Sequence, residues 1–186
     1  WEKLLMPAFI YFFKALYPFY LVNSPNSNTA AAAGGCILVE TRVLEQIGGF
    51  ASIKSAVIDD CAFARRVKSE GFKIWLGLTH SVESIRGYKK LGEIGNMVAR
   101  SAFAQLHYSL GLLLICTFIL LLLYVLPAFM VASSNDVMHY LSLASLGTML
   151  LTYSPTLRFY RQSWAWALCL PLIATFFLAT TWVSAI

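Results

Sequence analysis

The sequence predicts a polar α/β half followed by an α-helical transmembrane region, and three observations carry that reading. Hydrophobic residues make up 59% of the chain and charged residues only 12%, about half the roughly 25% of an ordinary soluble domain. Twenty of the 23 charged residues lie within residues 1–100, which leaves Asp136, Arg158 and Arg161 for the remainder. Within the polar part, apolar runs of strand length alternate with short amphipathic segments of helical period.

Residues 4–22 (LLMPAFIYFFKALYPFYLV) are apolar apart from Lys14 and contain Pro7 and Pro18. A central lysine and a heavy aromatic load suit a helix in the membrane interface, or one lining a pocket, better than a span. NSPNSNT (23–29) is a dense turn signal. AAAAGGCILVE (30–40) then offers small residues, two glycines and an apolar run short enough to be a buried strand. TRVLEQIGG (41–49) reads as a helix of about two turns, capped by Thr41 and stopped by Gly48 and Gly49. In AVIDDCAFARRVKSEGFKIW (56–75), Asp59 and Asp60 open a second short helix that turns Cys61, Ala64 and Val67 inward, shows Arg65, Arg66 and Lys68 outside, and ends at Gly71. FKIWLGL (72–78) and SVESI (81–85) are the remaining strand candidates.

LGEIGNMVARSAFAQL (91–106) has helical periodicity, with Leu91, Ile94, Met97 and Val98 on one face and Lys90, Glu93, Asn96 and Arg100 on others. Lying just ahead of a span, it predicts an interfacial helix over 91–107. Residues 109–132 carry no charge and at about 1.5 Å per residue exceed the roughly 30 Å hydrocarbon core. Residues 137–153 are at the short limit for a span, and 164–186 are again long enough. Tyr108, Tyr153 and Trp164 stand near the span ends, where interface anchors belong. The 133–136 loop has no Lys or Arg and the 154–163 loop has two, which orients the polar half toward the cytoplasm. The chain thus divides into 1–90, the interfacial helix 91–107, and a membrane region 108–186 with spans 109–132, 137–153 and 164–186.

A formal charge of +5 comes with no basic run and no aromatic-basic interleaving, so nucleic acid is excluded in favour of an anionic membrane surface or a diphosphate. Cys36, Cys61, Cys116 and Cys169 show no metal spacing and read as reduced thiols. His80, His107 and His139 likewise lack paired ligand spacing and read as structural residues. Acidic residues at a helix start complement the macrodipole and the orphan amides. A carboxylate there can also take the proton of an acceptor hydroxyl as its oxygen attacks carbon. Adjacent side chains on a helix diverge by about 100°, so only one of Asp59 and Asp60 reaches a given substrate.

GGF (48–50), the Asp59-Asp60 pair and Arg66-x-x-x-x-Gly71-Phe72 follow one another within residues 48–72. In that order they resemble the acceptor half of the family 2 glycosyltransferases. TAAAAGGC, IDDCAFARRVK, IWLGLT, MVARSAFAQL and SPTLRFYR resemble more narrowly the bacterial hopene-associated glycosyltransferases, over nearly the whole chain. The resemblance implies a partial GT-A, Rossmann-like fold and an inverting transfer from a nucleotide sugar to a lipid-type, hopanoid-related acceptor. It also implies a multi-pass protein of the bacterial inner membrane. By position it implies Asp60 as base with Asp59 beside it. Gly34 and Gly35 become candidates for close approach to substrate. Arg100, the single match to a Q/R-x-x-R-W motif, becomes the candidate for the donor diphosphate.

The family holds a divalent metal (Mg or Mn) with a D-x-D, and the sequence contains none; its only aspartates are Asp59, Asp60 and Asp136. The resemblance therefore implies the C-terminal part of a larger enzyme, inactive alone. The competing reading is a non-catalytic three-helix membrane anchor or interaction module.

Overall fold

The computed structural model describes residues 1–82, 84–85 and 87–186. It divides into two compact units, one made of Trp1–Tyr11 with Tyr88–Ile186 and the other of Phe12–Gly87.

The α/β expectation is overturned, because the described residues contain no strand and no sheet. A buried strand needs partners for its backbone on both edges, and none is present for either fully described candidate. In residues 36–40, Leu38 is fully exposed. In residues 72–78, the Leu76 peptide is closed off by a side chain: Asn23 Oδ1 accepts its N–H at 2.7 Å, and Asn23 Nδ2 donates to its carbonyl at 3.0 Å. The third candidate, SVESI, includes Glu83, which lies outside the described residues.

Helix α1 (Glu2–Leu16) runs through Pro7. It stops before Tyr17, because a residue preceding proline is disfavoured in the helical region; α2 (Phe19–Val22) begins after Pro18. The unit Phe12–Gly87 is then built around α3 (Thr41–Gln46) and α4 (Asp59–Ser69). Thr41 is the first helical residue, and Glu40 holds the cap position without a side-chain bond. Gly48 and Gly49 end α3 at φ 85° and 63°, with Gly49 N–H returning to the Leu44 carbonyl at 2.9 Å, a Schellman-type stop that needs left-handed residues. Two apolar clusters flank α4: Val43, Ile47, Phe63 and Val67 on one side, and Val22, Ala31, Cys61 and Leu76 on the other.

In the second unit, α5 (Leu91–Gln105) buries Ile94 and Val98 and is tied to the end of α9 (Leu170–Val183). Ser184 Oγ accepts the Phe103 N–H at 3.1 Å and donates to the Ala99 carbonyl. The Glu93 carboxylate caps α5 by accepting the N–H groups of Lys89 and Lys90. A continuous helix follows as α6 (Leu110–Leu120), a π turn at Leu121–Val125 and α7 (Leu126–Met130). It is succeeded by α8 (Asp136–Phe159), then a 3-10 segment at Trp164–Cys169 that leads into α9. Leu113, Leu157, Leu170 and Ile173 are buried in this unit, and Trp182 Nε1 donates to Thr117 Oγ1 at 3.0 Å.

Two helices are long and apolar enough to cross a membrane, Leu110–Met130 at mean hydropathy 2.8 and Trp164–Val183 at 1.8. Only 11% of the most apolar window of Leu110–Met130 is buried, whereas a soluble protein's core helix hides most of its surface. The expected span at 137–153 lies within α8. That helix is 24 residues long, but His139 and its many serine, threonine and tyrosine hydroxyls leave it less apolar than the two above.

Candidate functional site

Asp59 and Asp60 are the first two residues of α4, and Ile58 occupies the cap position. Both carboxylates serve orphan amides at this helix start. Asp59 Oδ1 accepts the Asp60 N–H at 3.0 Å, and Asp60 Oδ1 accepts the Cys61 N–H at 2.7 Å. They differ in the second oxygen. Asp60 Oδ2 accepts the Gly34 N–H at 2.9 Å, while Asp59 is exposed. A carboxylate has about four lone-pair sites, so the half-buried Asp60 keeps capacity for a further donor after these two bonds.

Gly34 is required by this approach. A Cβ at Gly34 would stand 3.2 Å from Asp60 Oδ2, whereas one at Gly35 would meet nothing within 4 Å. The Gly34 amide is therefore committed to Asp60, and Gly35 and Cys36 form an open, exposed shelf beside it.

Lys68 holds α4 to the segment that carries these glycines. Sequence reasoning placed it outside with Arg65 and Arg66; instead its ammonium folds back to donate to the carbonyls of Val22 (2.8 Å), Thr29 (2.7 Å) and Leu21 (3.3 Å). Desolvation pulls its pKa below the ordinary lysine value. Nothing in the residue types signals this, since a lysine on the polar face of a short helix ordinarily points to solvent. Burial pushes the Cys61 thiol up, and the neighbouring Asp60 charge adds to that.

The two motifs around the Asp pair have structural work of their own. Gly71 ends α4 at φ 84°. Its N–H returns to Lys68 and the Phe72 N–H to Val67, and Phe72 packs on the Val43 cluster. Arg66 pairs with Glu70 at 2.9 Å. Phe50 of GGF stacks on Phe63, with ring centroids 5.8 Å apart.

Arg100 lies on α5 in the other unit, exposed and without an ion pair among the described residues. Among the described residues no group of three or more His, Cys, Asp or Glu side chains stands ready to hold a metal ion. His139 Nδ1 lies 2.6 Å from the Val131 carbonyl and fastens the loop before α8. The four cysteines are unpaired.

The family model described as glycosyl transferase family 21 matches residues 9–186. No curated protein and no solved structure matches the chain.

Proposed function

We propose, because this chain belongs to glycosyl transferase family 21, that Asp60 is the base of a sugar transfer to the hydroxyl of a lipid-type acceptor. The chain is a glycosyltransferase, and its reaction moves a sugar from a nucleotide-sugar donor to an acceptor. The family model that matches is family 21 where the motifs resemble family 2, and glycosyl transfer is the activity the two have in common.

The observation that supports the reading is the divided bonding of Asp60. One oxygen is fixed by the helix start and the other by Gly34, beside an exposed glycine shelf where an acceptor can approach. Asp60 takes the acceptor proton as the acceptor oxygen forms its bond to the anomeric carbon. The bond from that carbon to the nucleoside diphosphate breaks, and the diphosphate leaves with the electron pair, so the anomeric centre inverts. Arg100 suits the diphosphate by chemistry, as a planar fork that bonds phosphate oxygens in pairs. Among the described residues no cluster of side chains stands ready to hold a divalent ion, and no step here runs through one.

In this reading Leu110–Met130 and Trp164–Val183 cross the bacterial inner membrane and residues 137–153 form a third span. The basic first half faces the cytoplasm, and the acceptor is of hopanoid kind, as the resemblance implies. The test is Asp60→Asn in the protein as its gene encodes it, assayed in membranes with a radiolabelled nucleotide sugar. Transfer to lipid should fall by about 10²- to 10⁴-fold at unchanged membrane abundance. Transfer at the wild-type rate would move the base elsewhere.

A further inference from the structure

Helix α4 grips one stretch of chain at both of its ends. At its start, Asp60 Oδ2 accepts the Gly34 N–H at 2.9 Å. Toward its other end, the Lys68 ammonium donates to the Thr29 carbonyl at 2.7 Å and to those of Val22 and Leu21 at 2.8 and 3.3 Å. The helix rises about 12 Å from Asp60 to Lys68 at about 1.5 Å per residue, and the chain from Thr29 to Gly34 can reach at most about 18 Å. The residues between the anchors therefore have little slack and run back along the helix. They are small enough to lie close against it: Ala30 and Ala31 are buried, and Ala31 packs with Cys61 of α4 in the cluster that Val22 and Leu76 complete.

Turning an ammonium away from water is unfavourable unless its protons find partners, and Lys68 gives all three of its protons to carbonyls. Two of these bonds have a local purpose. Leu21 and Val22 end α2, where helix carbonyls lack partners. The bond to Thr29 serves no helix, since Thr29 lies in none. It fixes the point from which the chain sets out toward Gly34, and Ser27 Oγ steadies the same residue by accepting its N–H at 3.1 Å. The chain before it has a separate hold, because Asn23 clasps both polar groups of the Leu76 peptide. Loss of the ammonium thus frees the stretch ahead of Gly34 while the end of α2 stays tied to residues 72–78.

We infer that Lys68 is a positioning residue for the sugar transfer, its ammonium drawing residues 29–33 along α4 so that the Gly34 N–H is presented to the Asp60 carboxylate. The inference rests on the reading of Asp60 as the base. The test compares Lys68→Met, Gly34→Ala and the double variant in the protein as its gene encodes it, well below the thermal midpoint of each. Initial rates of labelled-sugar transfer are measured beside hydrogen exchange of the peptide that contains Gly34. Lys68→Met should lower kcat about 3- to 10-fold with KM for the donor unchanged, and should speed exchange of that peptide by about the same factor. Adding Gly34→Ala to Lys68→Met should lower kcat by less than about twofold more, because both changes release the same carboxylate. Where Lys68→Met does not accumulate in membranes, Lys68→Gln, which keeps an N–H donor, takes its place under the same criteria. Wild-type kcat or unaltered exchange in a variant whose midpoint has fallen would make Lys68 a structural tie alone and overturn the inference. Losses that multiply in the double variant would overturn it too. Neither result touches the base reading, which fails if Asp60→Asn transfers at the wild-type rate, and the inference then fails with it.

Discussion

Replacing Gly34 by alanine places a methyl carbon 3.2 Å from Asp60 Oδ2 and 3.4 Å from Asp60 Cβ, tighter than a carbon normally sits. The backbone at Gly34 is not left-handed, so alanine is conformationally allowed, and relief must come from the Asp60 side chain moving by a few tenths of an ångström. That movement lengthens the 2.9 Å bond from the Gly34 N–H. A hydrogen bond of this kind at a half-exposed site contributes about 0.5–1.5 kcal/mol. If the bond aims the carboxylate, the loss enters the barrier directly, where about 1.4 kcal/mol is a factor of ten in rate. Gly34→Ala should therefore lower kcat about 3- to 10-fold, with KM for the donor unchanged and a melting temperature within a few degrees of wild type. Gly35→Ala is the internal control, since its added methyl meets nothing within 4 Å, and it should keep wild-type turnover unless the acceptor itself fills that space. The assay is initial-rate transfer of labelled sugar by the protein as its gene encodes it, at saturating donor. Wild-type kcat in Gly34→Ala would refute the claim that this contact aims Asp60.

Asp59→Asn should retain transfer within about threefold, because Asp59 is exposed and an amide oxygen can still take the Asp60 N–H; a loss as deep as that of Asp60→Asn would reverse the roles of the pair. Lys68→Met should destabilise by about 1–3 kcal/mol through loss of its bonds to three carbonyls, read as a lower thermal midpoint, and an unchanged midpoint would show that water replaces the ammonium without cost. Cys36 should react with iodoacetamide well before Cys61, since one thiol is exposed and the other buried. Because the native Cys61 value is raised above the ordinary 9.0, the native state holds that proton more tightly than the unfolded chain. Its contribution to stability is complete below pH 9 and is lost as pH rises through the native value. Cys61→Ala should therefore flatten the alkaline limb of the stability profile, and an identical limb in the variant would remove Cys61 as its cause.

Helix positions were legible in the sequence because they follow from local rules. Gly48, Gly49 and Gly71 adopt the left-handed angles that end α3 and α4, and the uncharged run at 109–132 contains the helix Leu110–Met130. The strands failed for a non-local reason. A strand exists through its neighbours, and residues 72–78 find an asparagine side chain where a ladder would require another backbone. The same limit applied at the site. Periodicity put Asp60 at a helix start, but its contact with Gly34 spans 26 residues of chain, and the return of Lys68 to Thr29 spans 39; no spacing rule reaches that far.

Capping and catalysis are often weighed as rival explanations of an acidic pair at a helix start, and here the bonding removes the rivalry. Asp59 and Asp60 each stabilise an amide that the helix cannot satisfy, so the charge of both is explained by local structure alone. Only Asp60 is also held from outside the helix, by a glycine whose missing side chain is what lets the carboxylate sit there. A cap needs one oxygen. The second oxygen, fixed by a residue 26 positions away, confers no benefit on the helix start. Its cost is a glycine on an exposed shelf, where alanine would otherwise lower the entropy of the unfolded chain. That expense is intelligible if the orientation of the Asp60 carboxylate matters for what approaches it, and it is the orientation, more than the charge, that the two glycine substitutions put to the test.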